Sequence, residues 1–61
     1  MKVMVFDVGG TEIKYSVMDE QLNRTDTGST PTPADSQEHF LNTLREIYLP
    51  HKGEVDGIAL S

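Results

Sequence analysis

The chain contains no cysteine and no tryptophan among its 61 residues. Without cysteine it can form neither a disulfide framework nor a thiolate metal site, so neither device stabilises it. A chain of this length is one domain at most, and it buries only about 60% of the surface that it exposes when unfolded. We therefore expect a thin core, and we expect the chain to be a piece of something larger or to associate with copies of itself.

Basic residues are also scarce, since five Lys and Arg stand against ten Asp and Glu, for a net charge of −5. The five are scattered along the sequence, whereas surfaces that bind nucleic acid or anionic membranes need clustered positive charge. The longest apolar run is Val3–Phe6, which is much shorter than the ~20 residues of a membrane span and too short for a secretory leader. We therefore expect neither nucleic acid nor a membrane among its partners, and we expect a cytoplasmic location.

The first half of the sequence has the pattern of three strands. Residues 3–8 are apolar at almost every position, which predicts a strand covered on both faces. Gly9-Gly10 then leads into 11–18, where apolar and polar side chains alternate, so the pattern predicts a hairpin whose two glycines take positive φ. Residues 22–30 have few large apolar side chains and predict an outer strand, which the prolines that follow must end.

The second half of the sequence predicts a helix and a last strand. Apolar side chains recur at helical spacing over Phe40–Tyr48, and Asp35 or Ser36 is a suitable N-cap. We predict a helix over 36–49, which the proline after it ends. Residues 54–61 predict a strand, and a strand, a helix and a strand in succession imply a right-handed crossover between parallel strands. The predicted element order is therefore β-β-β-α-β.

The stretch that carries chemistry is the hairpin tip at 7–14. Asp7 comes at the end of a strand predicted to be buried, where an ionised carboxylate is costly unless a metal ion or a metal-bound water compensates its charge. Gly9 and Gly10 let phosphate oxygens approach backbone N–H groups, while Thr11 adds a hydroxyl and Lys14 a point charge. The glycines lie between two strands, so this is not the P-loop, in which they precede a helix. The alternative interpretation is an ordinary tight hairpin with a surface Asp.

The segment Asp7-Val8-Gly9-Gly10-Thr11, at the start of a β-β-β-α-β unit, resembles the first phosphate motif of the sugar kinase, Hsp70 and actin superfamily. With Ile13-Lys14, Pro31-Thr32-Pro33 and Val55–Ser61 added, the sequence is most similar to the ROK family of bacterial sugar kinases and related repressors. The resemblance implies a ribonuclease H-like (actin-like ATPase) α/β fold, truncated, with a mixed sheet of order 3-2-1-4 and one helix on one face. It also implies that residues 1–61 are the amino-terminal part of the first lobe of a ROK-type kinase.

The same resemblance implies a function. The parent protein would transfer a phosphoryl group from Mg-ATP to a hydroxyl of a hexose or hexose derivative, so its ligands would be ATP, Mg²⁺ and a small sugar. Asp7 would hold the Mg²⁺ ion, through water. The residues that would meet the nucleotide are Asp7, Gly9, Gly10, Thr11 and Lys14. The catalytic base and the sugar motif would come after Ser61, so the isolated chain would be inactive, and Glu12 departs from the residues commoner at its position.

Three other functions stay open on the sequence alone. A non-enzymatic ROK-type transcriptional regulator or sugar-sensing protein is one, although that branch carries a helix-turn-helix ahead of the hairpin. An ATPase of the actin or Hsp70 branch is another, although Gly9-Gly10-Thr11 fits the sugar kinases better. The third is a free-standing interaction module in which the hairpin has no ligand.

Two further expectations concern the histidines and the assembly. His39 and His51 have no Cys, His or acidic residue at metal-ligand spacing, so we predict ordinary surface histidines. One helix covers only one face of a sheet, whereas the first strand is apolar on both. We therefore expect a homo-oligomer that packs through the uncovered face or through the edge of the last strand.

Overall fold

A computed structural model of the protein describes all 61 residues and contains four strands in one sheet. The elements in chain order are β1 (Lys2–Val8), β2 (Glu12–Asp19), β3 (Arg24–Pro31), α1 (Gln37–Tyr48), a 3₁₀ turn (Leu49–His51) and β4 (Gly57–Leu60). The strand order is β3-β2-β1-β4; β4 runs parallel to β1, and the other neighbours are antiparallel. The predicted order and the single crossover helix are therefore confirmed.

The strand pairing assigns side chains to the two faces of the sheet. Phe6 lies opposite Tyr15 and Met4 opposite Val17, and these positions face α1. Four apolar side chains are fully buried between sheet and helix, namely Met4, Phe6, Ile13 and Val17. The helix contributes one stripe to this core, made of Phe40, Leu44, Ile47 and Tyr48.

The prediction that β1 is covered on both faces is wrong. Burial alternates along the strand, with Met4 and Phe6 buried, Val3 and Val5 only half-buried, and Asp7 exposed. The reason is that one helix can cover only one face, so the apolar side chains on the other face remain in contact with solvent. Asp7 lies on that open face and therefore does not bear the cost of burying a carboxylate.

The helix starts at its predicted cap and ends slightly early. The side chain of Ser36 accepts a hydrogen bond from the His39 N–H group (3.0 Å), so Ser36 and not Asp35 is the N-cap. The α-helix ends at Tyr48, and the chain continues through Pro50 as the 3₁₀ turn, where proline near the start costs no hydrogen bond. No helix of the structure has the length and apolar character of a membrane span.

The prediction of positive φ at the two hairpin glycines is also wrong. Neither Gly9 nor Gly10 has a positive φ; Leu22 (66°) and Asp26 (52°) do. Leu22 lies in the turn between β2 and β3, so β3 begins two residues later than predicted, at Arg24. Gly9 is required for a different reason, because a Cβ atom there would lie 3.0 Å from the carbonyl oxygen of Glu12.

A β-bulge interrupts the pairing of β2 with β3. Tyr15 pairs with Gly28 and Val17 with Thr25, so the single residue Ser16 lies opposite two residues of β3, Asp26 and Thr27. The positive φ of Asp26 accommodates the extra residue. Because a bulge reverses the alternation of side chains, it sets the directions of the β3 side chains independently of the sequence pattern.

Candidate phosphate-binding hairpin

The loop between β1 and β2 is held by hydrogen bonds to three other parts of the chain. The Gly9 N–H group donates to the carbonyl oxygen of Glu12 (2.9 Å), and the Val8 N–H group donates to that of Ser61 (3.0 Å). Thr32, just after β3, donates its N–H group to the carbonyl oxygen of Thr11 (3.1 Å) and its hydroxyl to that of Gly9 (2.8 Å). The tip is therefore fixed in place by the elements that flank it.

These bonds distinguish the two glycines as hydrogen-bond donors. The N–H group of Gly9 is used inside the turn, whereas those of Gly10 and Thr11 have no protein partner. The Thr11 side chain also makes no hydrogen bond, and both residues are exposed. Two backbone N–H groups and one hydroxyl at the tip are therefore free to donate to an anion, while Gly9 serves the geometry of the turn.

The charged side chains lie beside the tip on the sheet face opposite α1. Asp7 and Lys14 are directly opposite each other in the β1–β2 register. The Lys14 Nζ atom is 3.8 Å from the Glu12 Oε1 atom, and the Lys14 side chain is 67% exposed. Asp7 makes no ion pair with either residue and is exposed, so its carboxylate is free to bind a hydrated cation.

Most of the predicted site residues border one open depression of about 230 Å³. Its lining is Asp7, Gly9, Thr11, Glu12 and Lys14. Gly10 does not line it, although it is adjacent in the loop. Glu12, the residue that departs from the expected pattern, is part of this lining and brings a second negative charge, which Lys14 partly offsets.

A second, smaller depression of about 130 Å³ adjoins the first and shares Asp7 and Lys14 with it. Three of its other lining residues are Ser16, Arg24 and Thr27. Ser16 is only 2% exposed, and its hydroxyl has no hydrogen-bond partner. No sequence pattern indicated these three as site residues, and Thr32 was noted only within Pro31-Thr32-Pro33, because the bulge and the β2–β3 pairing that bring them to the site have no local sequence signal.

Comparisons with known proteins find similar sequences that are all described as N-acetyl-D-glucosamine kinases. No protein-family model matches the chain. The N-acetyl-D-glucosamine kinase of Vibrio parahaemolyticus is 39% identical over 49 residues, which are 80% of this chain and 16% of that protein. That of Vibrio vulnificus is 44% identical over the same shares of the two chains. The chain thus spans about a sixth of the length of these curated relatives.

Solved structures give the same result for the fold. A Listeria monocytogenes protein provisionally described as an N-acetylmannosamine kinase matches the whole chain with a TM-score of 0.81 and 30% identity, over 21% of its own length. A ROK family glucokinase from Streptomyces griseus, solved with glucose and AMPPNP, matches the whole chain with a TM-score of 0.80 and 21% identity, over 20% of its length; this likeness is one of fold. The sequence similarity to N-acetyl-D-glucosamine kinases and the structural similarity to a ROK family kinase together confirm the predicted resemblance of this chain to the amino-terminal part of a ROK family sugar kinase.

Proposed function

We propose that the protein to which this chain belongs is an ATP-dependent sugar kinase, and that residues 7–14 hold the phosphates of Mg-ATP. The observation that carries the proposal is the hairpin tip, where two free N–H groups and the Thr11 hydroxyl lie beside an exposed carboxylate and a lysine. Free backbone donors next to a carboxylate are what a nucleotide phosphate with its magnesium ion needs. The descriptions of the relatives as sugar kinases support the same function.

Each residue of the tip has a distinct part in this proposal. Gly10 and Thr11 donate N–H groups to phosphate oxygens, because those of Val8 and Gly9 before them are already engaged. Asp7 would hold Mg²⁺ through coordinated water, and the ion would offset the negative charge that develops on the phosphate during transfer. Lys14 contributes a positive charge that offsets the charge of Glu12, since its Nζ atom is 3.8 Å from the Glu12 Oε1 atom.

In the proposed reaction a sugar hydroxyl oxygen forms a bond to the γ-phosphorus as the bond from that phosphorus to the bridging oxygen of ADP breaks. The hydroxyl proton passes to a base, and we assign this base to no residue of 1–61. The chain therefore binds and orients one substrate, so by itself it is expected to be inactive. Because the curated relatives are described as N-acetyl-D-glucosamine kinases, we propose an N-acetylhexosamine as the sugar.

The experiment that tests this function is a chimera. The matching segment of the Vibrio parahaemolyticus N-acetyl-D-glucosamine kinase is replaced by this chain, and phosphorylation of N-acetyl-D-glucosamine is measured with and without ATP. We expect ATP-dependent turnover, since the chain supplies a compatible phosphate hairpin. A folded chimera that binds the sugar but transfers no phosphate would contradict the proposal and favour a sugar-sensing protein.

Replacement of Asp7 in the chimera tests the metal-binding role. We expect Asp7→Ala to lower kcat by about 10²-fold or more, because the magnesium ion loses its anchor. Folding should be unaffected, since the side chain is exposed and makes no ion pair. Glu20→Gln, which alters an exposed carboxylate in the β2–β3 turn, is the matched control and should leave kcat unchanged. Near-normal turnover of Asp7→Ala would contradict the assignment.

A further inference from the structure

Three potential metal ligands meet at the end of the sheet opposite the hairpin tip. The bulge in β3 and the segment after α1 bring a carboxylate oxygen of Asp26, a ring nitrogen of His51 and a carboxylate oxygen of Glu54 within 4.8 Å of one another. Asp26 is at least 25 residues from the other two in sequence, so no spacing pattern predicts the cluster. The expectation of an ordinary surface histidine at position 51 rested on sequence spacing alone, whereas folding brings two carboxylates to His51 and leaves its side chain only 18% exposed.

The local backbone fixes two of the three residues. The 3₁₀ turn ends at His51, whose carbonyl oxygen accepts hydrogen bonds from the N–H groups of Glu54 (2.9 Å) and Val55 (3.1 Å). This tight turn places the Glu54 Oε2 atom 3.5 Å from His51 Nδ1. The other oxygen of the Glu54 carboxylate, Oε1, is 3.9 Å from the Nζ atom of Lys2.

The ring nitrogen of His51 points to a ligand. The His51 side chain is only 18% exposed, its Nδ1 atom is buried, and that atom has no hydrogen-bond partner. A buried polar atom without a partner is costly, and in native proteins it is normally satisfied by a group of the protein, a water or an ion. By contrast, His39 Nδ1 lies 2.7 Å from Asp35 Oδ1 and is satisfied.

We propose that Asp26, His51 and Glu54 bind a divalent transition-metal ion of the zinc class, with water completing its coordination. One imidazole nitrogen and two carboxylate oxygens suit such ions, whereas Mg²⁺ and Ca²⁺ prefer oxygen ligands alone. Ligands of one zinc ion are at most about 4.4 Å apart, twice a bond of ~2.2 Å. Two of the three side chains are exposed and free to close the small remaining difference. The cation also offsets two negative charges in a chain of net charge −5.

The test is binding of ZnCl₂ to the 61-residue chain, followed by calorimetry and by NMR of the two histidine rings. We expect one zinc ion per chain and a large shift of the His51 ring signals, with those of His39 unchanged. Millimolar MgCl₂ should not compete. Absence of binding, or zinc shifts at the His39 ring instead, would overturn the proposal, and this comparison needs no variant that could unfold.

Three conservative variants locate the ligands. We expect Asp26→Asn, His51→Gln and Glu54→Gln each to weaken zinc binding about tenfold or more, since loss of a ligand costs at least as much as loss of its supporting contacts. Asn tolerates the positive φ at position 26, so this variant should fold. His39→Gln is the control and should bind zinc as tightly as the unaltered chain. Unchanged affinity in folded Asp26→Asn and Glu54→Gln would also overturn the site.

Discussion

Two adjacent glycines in the hairpin loop differ in what they do. A Cβ atom on Gly9 would lie 3.0 Å from the backbone oxygen of Glu12, whereas one on Gly10 would meet nothing within 4 Å. Since neither residue has a positive φ, conformational freedom explains neither glycine. Gly9 is explained by the tight turn, and Gly10 leaves space beside its free N–H group.

This difference predicts opposite outcomes for two alanine substitutions. Gly9→Ala should destabilise the chain by about 1–3 kcal/mol, because the backbone of the turn must shift to admit the methyl group. Gly10→Ala should change the free energy of unfolding by less than about 0.5 kcal/mol. Denaturant titrations of both variants measure the difference. Equal effects would mean that the close contact at Gly9 relaxes without cost.

The residues that the sequence did not predict share a physical cause. Thr32, Ser16 and Asp26 reach their positions through strand pairing and a bulge, which depend on contacts between distant segments. Asp7, Thr11 and Lys14 were predicted because their chemistry is encoded in one short hairpin. The choice of Ser36 over Asp35 as the N-cap was open, because both side chains cap helices equally well.

At the scale of the elements, the start of α1 contains a pH-dependent pair. The hydrogen bond from His39 to the Asp35 carboxylate lowers the pKa of Asp35 below its usual value of 3.8. A lowered pKa in the folded state contributes stability above pH 3.8, and this stability is lost as the pH falls through the folded-state pKa. Asp19 behaves in the same way, since the N–H group of Asn23 lowers its pKa.

We therefore expect the chain to lose stability as the pH falls below about 4, and Asp35→Asn to lose less over that range. The measurement is the midpoint of urea unfolding at a series of pH values, followed by circular dichroism. Glu38→Gln, in the same first turn, is the control and should keep the full pH dependence. A parallel pH profile for the unaltered chain and Asp35→Asn would show that the pair contributes nothing.

In the edge strand β3, Gly28 is covered by the ring of Tyr15. A Cβ atom on Gly28 would lie within 2.9 Å of three atoms of the Tyr15 side chain, so the ring packs directly over this residue. Gly28→Ala should cost about 1–3 kcal/mol of unfolding free energy. In a Tyr15→Ser background the same substitution should cost much less, because the ring is gone. A double-mutant cycle by denaturant unfolding measures this coupling.

At the scale of the whole molecule, apolar surface remains uncovered. Only five of the 61 residues are buried, while Ile58 and Leu60 of β4 are 51% and 62% exposed. Both line an apolar depression with Phe6, Leu44 and Tyr48 beside the free edge of β4. An apolar edge strand without charged side chains favours pairing with another chain.

The prediction of a homo-oligomer follows from this surface. Light scattering at rising concentration should give a mass approaching twice the 6.8 kDa of one chain. Leu60→Lys should shift the equilibrium toward the monomer, because a charge on the edge opposes pairing. Leu22→Lys, which alters another exposed leucine, in the β2–β3 turn, is the control. A mass of 6.8 kDa at millimolar concentration would contradict the prediction.

The element order followed from the sequence because strands, turns and helix each have their own local periodicity, while the strand order of the sheet followed from the family resemblance. The burial of individual side chains did not follow from the sequence. The apolar pattern of β1 fits a strand with both faces covered, whereas the number of helices that pack on the sheet decides how many of its faces are covered. Val3 and Val5 are apolar like Met4 and Phe6, yet only the latter two are fully buried. Which apolar residues form the core is therefore a property of the assembled layers.

The pairing of β1 with β4 also has a kinetic consequence. The hydrogen bonds between Lys2 and Asp56 join residues 54 positions apart, whereas β1, β2 and β3 are joined by short turns. Closing a long loop is entropically costly and slow, so the two hairpins should form first and β4 should dock last. If local unfolding reverses this order, β4 detaches first, so its amide protons should exchange with solvent before those of β1 and β2. Because Ser61, directly after β4, accepts a hydrogen bond from Val8, the loop that carries the free N–H groups of Gly10 and Thr11 would be completed only in this last step.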